Sequence, residues 1–426
     1  MSEPGDGGPA VRRLAEWTES ELVALAEEYG TPLYVVDLDR IEENSARLLD
    51  AFPDADVRYA VKAHTGQAVL RTVREAGLDA ECASAGEVER AFDAGFTGDR
   101  VQYTAVNPPA RDLDLVMERW REHPDLTVTV GAEDTVERLR ERGFDGRLCV
   151  RANPGVGAGH HEKVSTGANA KFGIPIERVA DLAEAWAADF DLVGVHAHAG
   201  SGISGEDLSA HRELVSRMGD LAREVESRVG ELEFVDVGGG FGVPYREDEP
   251  PLDLDAVADA TREALGVSDS NDRTGDDSLD ATLAVEPGRY VVADAGVLLT
   301  TVNTVKEARD ATVVGIDAGM TTLLRPAMYD AYHAIENLTA PADAAEIDAT
   351  VAGPICESAD VLCEHRSLPR PDRGDILAIG NAGAYGYEMS STYNSRPRPA
   401  EVALSGTTVR LARRRETLTD LTGLEQ

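Results

Sequence analysis

The chain has 426 residues, of which 42% are apolar, and its 78 acidic and 41 basic side chains give a formal net charge of −37. This length and apolar content suffice for two domains with large cores and exclude one small domain. The charge disfavours nucleic acid and anionic membranes as partners, because both would repel such a surface. Carboxylates spread along the whole chain are typical of a halophilic surface, and a cation-binding face is the alternative.

Targeting and metal-binding patterns are missing from the sequence. No apolar segment approaches the roughly 18 residues of a membrane-spanning helix, and the first ten residues do not have the pattern of a signal peptide. We therefore expect a soluble protein of a salt-rich cytoplasm. The four cysteines, Cys82, Cys149, Cys356 and Cys363, have no CxxC pairing and no histidine at zinc spacing, so neither a disulfide framework nor a metal site is indicated.

Strand-like and helix-like segments alternate through the first two thirds of the chain. A helical stretch at residues 19–29 and a strand-like segment at 31–37 come first, and the alternation continues to about Arg289. Eight further strand candidates fit a closed parallel (β/α)8 barrel. They span residues 57–61, 80–82, 101–103, 127–130, 148–152, 192–196, 234–237 and 283–285.

The character of the sequence changes after Tyr290, where short strand-like runs and turns predict a second, all-β domain. The candidate strands span residues 297–305, 312–316, 349–351, 376–379 and 407–412. We place the barrel at residues 38–290 and the β domain at residues 1–37 and 291–426. The acidic, glycine-bearing segment between Gly266 and Ala281 indicates an exposed loop.

Lysine is scarce in this chain, with four lysines against 37 arginines, and Lys62 directly follows the first barrel strand candidate. An ε-amine can lose its proton when partly buried and form a Schiff base with a carbonyl, which a guanidinium cannot do. Lys62 is therefore a candidate for amine chemistry. Taken alone, the position is more typical of a surface lysine at the end of a strand, and the motifs further along the chain are what favour amine chemistry.

Two motifs that follow barrel strands could bind a cofactor. Residues 236–242, Asp-Val-Gly-Gly-Gly-Phe-Gly, place Gly238, Gly239 and Gly240 in a loop whose bare N–H groups can approach a phosphate. A tight turn without a ligand is the alternative, and the missing Rossmann and Walker spacings disfavour a nucleotide. The second motif is Glu286-Pro287-Gly288-Arg289. If the cofactor contains a pyridine ring, Glu286 beside the ring nitrogen would keep that nitrogen protonated. The alternative is an ion pair between Glu286 and Arg289 in a turn.

Further polar residues stand beside these motifs and in the C-terminal half. His196 and His198 could form a metal pair but have no third ligand nearby, so either could be a core histidine. Cys356 and Glu357 lie in a loop bounded by glycine and proline, where a thiol can act as an acid or pack as a small hydrophobe. Arg325 and Tyr329, four residues apart, could bind a carboxylate or form a pair on a helix surface. Tyr385 stands between small residues and could lie against a flat ring or a phosphate.

In combination, these motifs resemble the fold-type III pyridoxal phosphate (PLP) decarboxylases, and within them the diaminopimelate decarboxylases. The resemblance covers almost everything from Thr31 to Val402. It implies an alanine-racemase-like barrel joined to a β domain, and a homodimer that shares active sites. It also implies decarboxylation of meso-2,6-diaminopimelate to L-lysine and CO2, the last step of lysine biosynthesis.

The resemblance implies a role for each motif residue. Cofactor contacts are expected from Lys62, which would bind PLP as a Schiff base, His198, Ser201, Gly238, Gly239, Gly240, Glu286, Pro287, Gly288, Arg289 and Tyr385. Substrate contacts are expected from Arg289, Arg325, Tyr329, Glu357 and Tyr385. Cys356 is implied as the proton donor, and Cys356 with Glu357 is implied to reach the active site of the other subunit.

The sequence departs from the family's usual pattern at His64 and at Asn107-Pro108-Pro109, which puts loop detail in doubt but removes no named role. An ornithine or arginine decarboxylase would share most of this machinery, but its substrate has no distal carboxylate for Arg325 and Tyr329. An alanine racemase would need a tyrosine base and usually an arginine in place of Glu286. A PLP-binding protein without turnover would have no need of Cys356.

Overall fold

A computed structural model describes residues 10–156, 171–198, 200, 203, 207–266, 279–309 and 311–425. Ser201 and most of the predicted acidic loop, residues 267–278, lie outside the described residues. The chain divides into two compact units. The barrel unit comprises Asn44–Gly242 and Leu252–Gly288, and the β-rich unit comprises Met1–Glu43, Val243–Pro251 and Arg289–Gln426.

The described strands and helices are numbered in chain order. The strands are β1 (Leu33–Asp37), β2 (Ala55–Ala60), β3 (Asp79–Cys82), β4 (Val101–Thr104), β5 (Thr127–Val130), β6 (Arg147–Asn153), β7 (Ile174–Pro175), β8 (Asp191–His196), β9 (Phe234–Asp236), β10 (Thr282–Val285), β11 (Gly296–Glu307), β12 (Thr312–Ile316), β13 (Ile335–Asn337), β14 (Glu346–Ala352), β15 (Val361–Pro369), β16 (Ile376–Ile379), β17 (Ala400–Ser405) and β18 (Thr408–Arg413). The helices are α1 (Glu19–Tyr29), α2 (Leu38–Ala51), α3 (Gln67–Glu75), α4 (Ala85–Asp93), α5 (Ala110–Glu122), α6 (Glu133–Arg140), α7 (Ile176–Trp186), α8 (Ser209–Val229), α9 (Leu254–Leu265), α10 (Arg289–Val292), α11 (Arg325–Tyr329) and α12 (Leu418–Thr422).

The barrel unit contains a closed parallel sheet. Eight strands among the described residues pair in the order β2, β3, β4, β5, β6, β8, β9 and β10, and β10 pairs back with β2. The predicted (β/α)8 barrel is confirmed, and each predicted strand lies within two residues of the observed one. The sequence reveals these strands because short apolar runs that alternate with helices are typical of a buried parallel sheet.

The helices of the barrel unit bury an apolar stripe. In α8, Leu214, Met218, Leu221 and Val225 recur at helical spacing and are all buried. Such a stripe turns one face of the helix towards the core and the other face towards water. Burying each side chain of this size contributes about 1.5–3 kcal/mol to the free energy of folding. The packing of the helices therefore stabilises the barrel and keeps the ends of its strands in place.

The β-rich unit contains a mixed sheet of nine strands among the residues described. Its order is β15-β14-β12-β11-β1-β17-β18, and β16 pairs with β11 and β13. The β1–β17 and β12–β14 pairs are parallel, and the other pairs are antiparallel. The five strands predicted after Tyr290 are found, whereas β13, β15 and β17 were not predicted. The burial pattern of β15 shows why, since it does not alternate regularly between buried and exposed residues.

Among the described helices, none combines the length and the apolar character needed to cross a bilayer.

Candidate functional site

The carboxyl ends of the barrel strands bring five ionisable side chains together. Lys62 lies in a short 3-10 turn, Val61–Ala63, directly after β2, and Glu81 belongs to β3. His196 ends β8, Asp236 ends β9, and Glu286 follows β10. Active sites of (β/α)8 enzymes lie at this end of the barrel. We call these five residues the barrel cluster.

Lys62 forms an ion pair with Glu81, a residue that the sequence analysis missed. The Lys62 Nζ atom lies 2.6 Å from Glu81 Oε2, and the side chains are 38% and 2% exposed. A buried carboxylate is costly unless a cation pairs with it. The signal in the sequence was an acidic residue between Ala80 and Cys82 in a predicted barrel strand, because a carboxylate at a buried position requires a partner.

Glu286 and His196 form a buried hydrogen bond of 3.2 Å between Oε1 and Nε2. Burial lowers the pKa of His196 to about 4, so the ring is neutral and donates its Nε2–H to the carboxylate. The His196 Nδ1 atom is buried and has no hydrogen-bond partner among the described residues. Burial, together with the nearby charge of Glu81, raises the pKa of Glu286 to about 7. A cation placed beside Glu286 would therefore stabilise its ionised form.

Asp236 connects the barrel cluster to the inside of the barrel. Its Oδ1 atom accepts the N–H of Gly238 at 2.9 Å, and its Oδ2 atom accepts from Arg58 at 3.1 Å and Gln102 at 3.4 Å. Burial raises the pKa of Asp236 to about 6. Arg58 and Gln102 also hydrogen-bond to each other. Ligand atoms of Asp236, His196 and Glu286 all lie within 4.8 Å of one another, which is close enough to hold a metal ion, although the hydrogen bonds described above account for the same geometry.

The glycine turn after β9 is formed as the sequence predicts. Gly238 and Gly240 have positive φ angles of 75° and 107°, a region that other residues rarely adopt. The N–H of Gly239 donates to His198 Nδ1 at 3.0 Å, so the neutral His198 ring carries its proton on Nε2, and burial holds its pKa well below the usual value. The N–H of Gly238 donates to Asp236. Of the three glycine N–H groups in this turn, that of Gly240 is therefore the one without an acceptor within the described residues.

The segment before Arg289 lies against the turn that carries Lys62. The N–H of Ala60 donates to Pro287 O at 3.0 Å. A Cβ atom on Gly288 would lie 3.0 Å from Ala60 Cβ, which is closer than ordinary packing. Pro287 and Gly288 therefore bring the Glu286 strand end close to Lys62, a structural role that requires no contact with a ligand.

In the β-rich unit, two predicted arginines lie around one tyrosine. Arg289 donates to the Tyr245 hydroxyl at 2.7 Å, and its guanidinium lies 4.9 Å from the ring centre of Tyr385. The guanidinium of Arg325 lies 4.7 Å from the centre of the Tyr245 ring. The NH1 atom of Arg325 lies 2.9 Å from His333 Nε2. We call Arg289 and Arg325 the arginine pair. The sequence analysis missed Tyr245 and His333.

The arginine pair has no acidic partner within the described part of the chain. Arg325 is 3% exposed and Arg289 is partly buried, and their polar contacts are the neutral groups of Tyr245 and His333. Burial opposes the ionisation of Tyr245, but the charges of Arg289 and Arg325 outweigh it and lower its pKa. Buried cations without counter-charges are unfavourable in a folded protein. The β-rich unit is therefore prepared to receive an anion.

The loop with Cys356 and Glu357 is held by a buried aspartate. Asp360 accepts the N–H groups of Met320 at 2.6 Å and Ile355 at 2.8 Å and is 2% exposed. Cys356 is exposed and lies 3.5 Å from Asn394 Nδ2. Glu357 is also exposed. Cys356 is therefore no buried hydrophobe, whereas Cys82 and Cys149 are.

A cavity of about 450 Å³ lies at the amino ends of the barrel strands. Its arginines are paired, Arg100 with Asp79 at 2.7 Å and Arg147 with Glu233 at 2.6 Å. Charges at this end of a (β/α)8 barrel generally serve stability. This cavity therefore contrasts with the unpaired arginines of the β-rich unit and is not the candidate site.

Comparison with known proteins places the chain in a family. Residues 38–293 match the pyridoxal-dependent decarboxylase, pyridoxal binding domain. The diaminopimelate decarboxylase of Methanothermobacter thermautotrophicus is 43% identical over 94% of this chain and 93% of its own. The structure of Helicobacter pylori diaminopimelate decarboxylase with L-lysine superposes with a TM-score of 0.85 at 32% identity, covering 95% of this chain and 99% of the other. The M. jannaschii enzyme with L-lysine gives a TM-score of 0.85 at 33% identity, with coverages of 95% and 94%.

Proposed function

The chain belongs to the diaminopimelate decarboxylase family of pyridoxal-dependent enzymes, and we propose that it converts meso-2,6-diaminopimelate to L-lysine and CO2. The observation that carries this assignment is the arginine pair, which offers two guanidiniums and no acidic partner in the described residues. A diamino diacid retains a carboxylate at its far end after CO2 leaves the other end. The two guanidiniums match that remaining carboxylate in charge and in the number of N–H donors.

PLP is the cofactor of this family, and the barrel cluster fits it. PLP supplies an electron sink for the electrons released when CO2 leaves. We propose that Lys62 holds it covalently through Nζ and that Glu286 faces its ring nitrogen. A pyridinium cation beside Glu286 would relieve the unfavourable burial that raises the pKa of that carboxyl. We further propose that His198 lies on the ring face and that Ser201 and Gly240 contact the phosphate.

The β-rich unit would supply the substrate contacts. We propose that Arg289 and Arg325 bind the distal carboxylate and that Tyr329 and Tyr385 complete this contact, with Tyr385 also touching the cofactor. An ornithine or arginine decarboxylase would leave both guanidiniums without an anion, because those substrates have no distal carboxylate. Leaving buried charges unpaired is strongly unfavourable, so the arginine pair favours a diacid.

We propose that Cys356 donates the proton that replaces CO2 and that Glu357 binds the substrate ammonium. Their exposure on a loop held by Asp360 supports a role outside the core of their own unit. The family resemblance assigns both residues to the active site of a second subunit. The enzyme would then be a homodimer in which each active site draws residues from both chains.

The domain limits and the cellular setting also belong to this proposal. Residues 38–290 would form the PLP-binding domain, and residues 1–37 and 291–426 would form the domain that completes the active site. The net charge of −37 and the four lysines support a cytoplasm rich in salt. Dilution of KCl should then lower the unfolding temperature, because repulsion between surface carboxylates is screened only at high ionic strength. A constant unfolding temperature would argue against this setting.

The test of function supplies meso-diaminopimelate, L-ornithine and L-arginine separately to purified protein with PLP in high KCl, and measures CO2 and the product. Release of lysine from diaminopimelate alone would support the proposed reaction. Putrescine or agmatine would transfer the function to polyamine synthesis. Protein that binds PLP and releases no CO2 from any of the three would contradict the proposed decarboxylase activity.

A further inference from the structure

We infer that His333 and Tyr245 are positioning residues, which fix the guanidinium groups of Arg325 and Arg289 for a substrate carboxylate. This inference rests on the proposed function, because it concerns how the proposed carboxylate site is built. It goes beyond that function by identifying two residues that the sequence analysis did not connect with any role. Neither residue needs to touch the substrate, since each acts through an arginine.

The hydrogen bonds of His333 define its tautomer. Its Nδ1 atom lies 2.8 Å from Gly380 O, and a carbonyl oxygen only accepts, so Nδ1 carries the proton. In the neutral ring, Nε2 is then a bare acceptor, and it lies 2.9 Å from the NH1 atom of Arg325. Burial and the charge of Arg325 lower the pKa of His333 to about 3. The ring therefore presents an acceptor to Arg325 throughout the pH range in which proteins normally work.

His333 is itself held from several sides within the β-rich unit. Arg366, on β15, donates to the His333 carbonyl oxygen at 2.9 Å. The ring of Tyr245 lies edge-on to the His333 ring, with centres 5.3 Å apart and an angle of 80° between the planes. Gly380, which accepts from His333, follows directly after β16. The His333 ring, which provides the acceptor for Arg325, is therefore held in position by contacts with residues on or next to β-strands.

Tyr245 has the corresponding role for Arg289. Its hydroxyl accepts from Arg289 NH1 at 2.7 Å, while its ring faces the Arg325 guanidinium at 4.7 Å. One aromatic side chain therefore contacts both arginines.

Neutral acceptors suit this task better than carboxylates would. An acidic partner would neutralise each arginine and compete with the substrate carboxylate for its N–H groups. A neutral nitrogen or oxygen orients the guanidinium and leaves its charge available. Because an arginine side chain has many rotamers, ordering it before the substrate arrives reduces the entropy lost on binding. Positioning should therefore act on affinity for a carboxylate rather than on the chemical step.

The test uses two probes that differ by one carboxylate, L-lysine and cadaverine. Each is titrated into the PLP-loaded enzyme in high KCl, and the absorbance of the cofactor reports binding. The ratio of the two dissociation constants measures the contribution of the carboxylate without any turnover. The variants are His333→Asn, His333→Gln and Tyr245→Phe. His211→Asn serves as the control, since His211 is a buried histidine of the barrel unit that hydrogen-bonds to Thr261.

The asparagine and glutamine variants separate the two nitrogens of His333. An asparagine amide reaches the position of Nδ1, so His333→Asn keeps the bond to Gly380 and removes the acceptor for Arg325. A glutamine amide reaches the position of Nε2 and can restore that acceptor. A hydrogen bond to a charged group typically changes an equilibrium by about 10- to 100-fold. We expect His333→Asn and Tyr245→Phe to lower the lysine preference by about that factor, and His333→Gln to retain most of it.

Each outcome decides the inference. An unchanged lysine preference in His333→Asn, or in Tyr245→Phe, would overturn the role of that residue. Tyr245→Phe removes only one oxygen atom and remains informative if His333→Asn does not fold. If the unmodified enzyme prefers lysine but releases no CO2 from diaminopimelate, the proposed function fails and the positioning role stands. If the unmodified enzyme shows no preference for lysine, the arginine pair is not a carboxylate site and the inference is overturned.

Discussion

The charged groups of the candidate site are paired in the barrel unit and unpaired in the β-rich unit. In the barrel, Lys62 pairs with Glu81 at 2.6 Å, and Arg58 pairs with Asp236 at 3.1 Å. In the β-rich unit, Arg325 and Arg289 are held by the neutral groups of His333 and Tyr245. Elsewhere the β-rich unit does pair its buried charges, as Arg40 does with Asp294 at 2.7 Å, so the lack of an acidic partner is specific to the arginine pair.

This difference shows how a structure without a ligand can indicate the charge of its ligand. A paired buried charge stabilises its partner and serves the architecture. An unpaired buried charge is unfavourable until a ligand of opposite sign arrives. In the barrel cluster, three carboxyl groups lie near one another, which favours a cation such as a protonated ring nitrogen. In the arginine pair, the excess is positive and favours a carboxylate.

The largest expected effect follows removal of the amine from the barrel cluster. Lys62→Ala should abolish turnover and the absorbance band of a PLP Schiff base at about 420 nm, because no amine would remain at this position to bind the cofactor. Lys306→Ala is the matched control, since Lys306 is exposed on β11. Persistence of the band in Lys62→Ala would mean that another lysine holds PLP.

The next effect concerns a paired charge. Asp236→Asn should lower the free energy of unfolding by about 1.5–3 kcal/mol, because Arg58 loses its buried counter-charge and keeps only the more exposed Asp56, at 3.1 Å. It should also loosen the glycine turn, since the Gly238 N–H donates to Asp236. Urea unfolding of the apoprotein measures the change. An exposed pair, Arg370 with Glu307, provides the control, and Glu307→Gln should change stability by less than about 1 kcal/mol. Equal effects of the two substitutions would contradict the importance of burial.

Removing an unpaired charge should have the opposite effect on stability. Arg325→Met should lower kcat/KM for diaminopimelate by about 10²- to 10³-fold, since a buried charged hydrogen bond to the substrate is lost. The same variant should unfold at an equal or higher urea concentration, because it removes a buried cation that has no acidic partner. The paired experiment is urea unfolding beside steady-state kinetics. A large loss of stability together with unchanged kinetics would show that Arg325 serves the fold rather than the substrate.

The smallest expected effect is a dependence of stability on pH. The folded-state pKa values of Glu286, about 7, and Asp236, about 6, lie above their ordinary values of 4.5 and 3.8. Through these two carboxyl groups the folded apoprotein binds more protons than the unfolded chain, so their contribution to stability falls as the pH rises from about 4.5 to 7. The buried His196, His211 and His333 act in the opposite direction, because their folded-state pKa values are lowered to about 4, 4 and 3. Glu286→Gln removes the Glu286 contribution alone, so the free energy of unfolding of the unmodified protein minus that of the variant should fall by on the order of 1 kcal/mol between pH 5.5 and 8 at constant KCl. A difference that does not change with pH would assign the titration to other groups.

Much of the fold was predictable because its elements are local. The eight barrel strands appear in the sequence as short apolar runs, since each strand is buried on both faces. Strand β15 was missed because its middle, which includes Glu364, His365 and Arg366, is polar and interrupts the apolar residues at its two ends. Strand β17 was missed although it is mostly buried. Such strands are defined by the neighbours with which they pair, and those neighbours lie elsewhere in the chain.

The candidate site was predictable where a residue carries its own chemical signal. The scarce Lys62, the glycine turn and Glu286 stand at strand ends, and the barrel brings them to one end as expected. Glu81 gave a weaker signal, and Tyr245 and His333 gave almost none. A tyrosine or histidine is unremarkable in a sequence, and its role depends on which group its polar atom meets.

The sequence by itself determined the eight barrel strands and their alternation with helices, the acidic character of the chain and the residue types available for amine and carboxylate chemistry. These properties depend on composition and on short-range periodicity, both of which can be read from the sequence without knowing which residues meet in space. Only the tertiary structure decided which charges are paired. The partners Arg58 and Asp236 are 178 positions apart, and the free energy of a buried charge depends on what surrounds it in space. The distinction between the paired barrel cluster and the unpaired arginine pair is therefore a property of the folded chain.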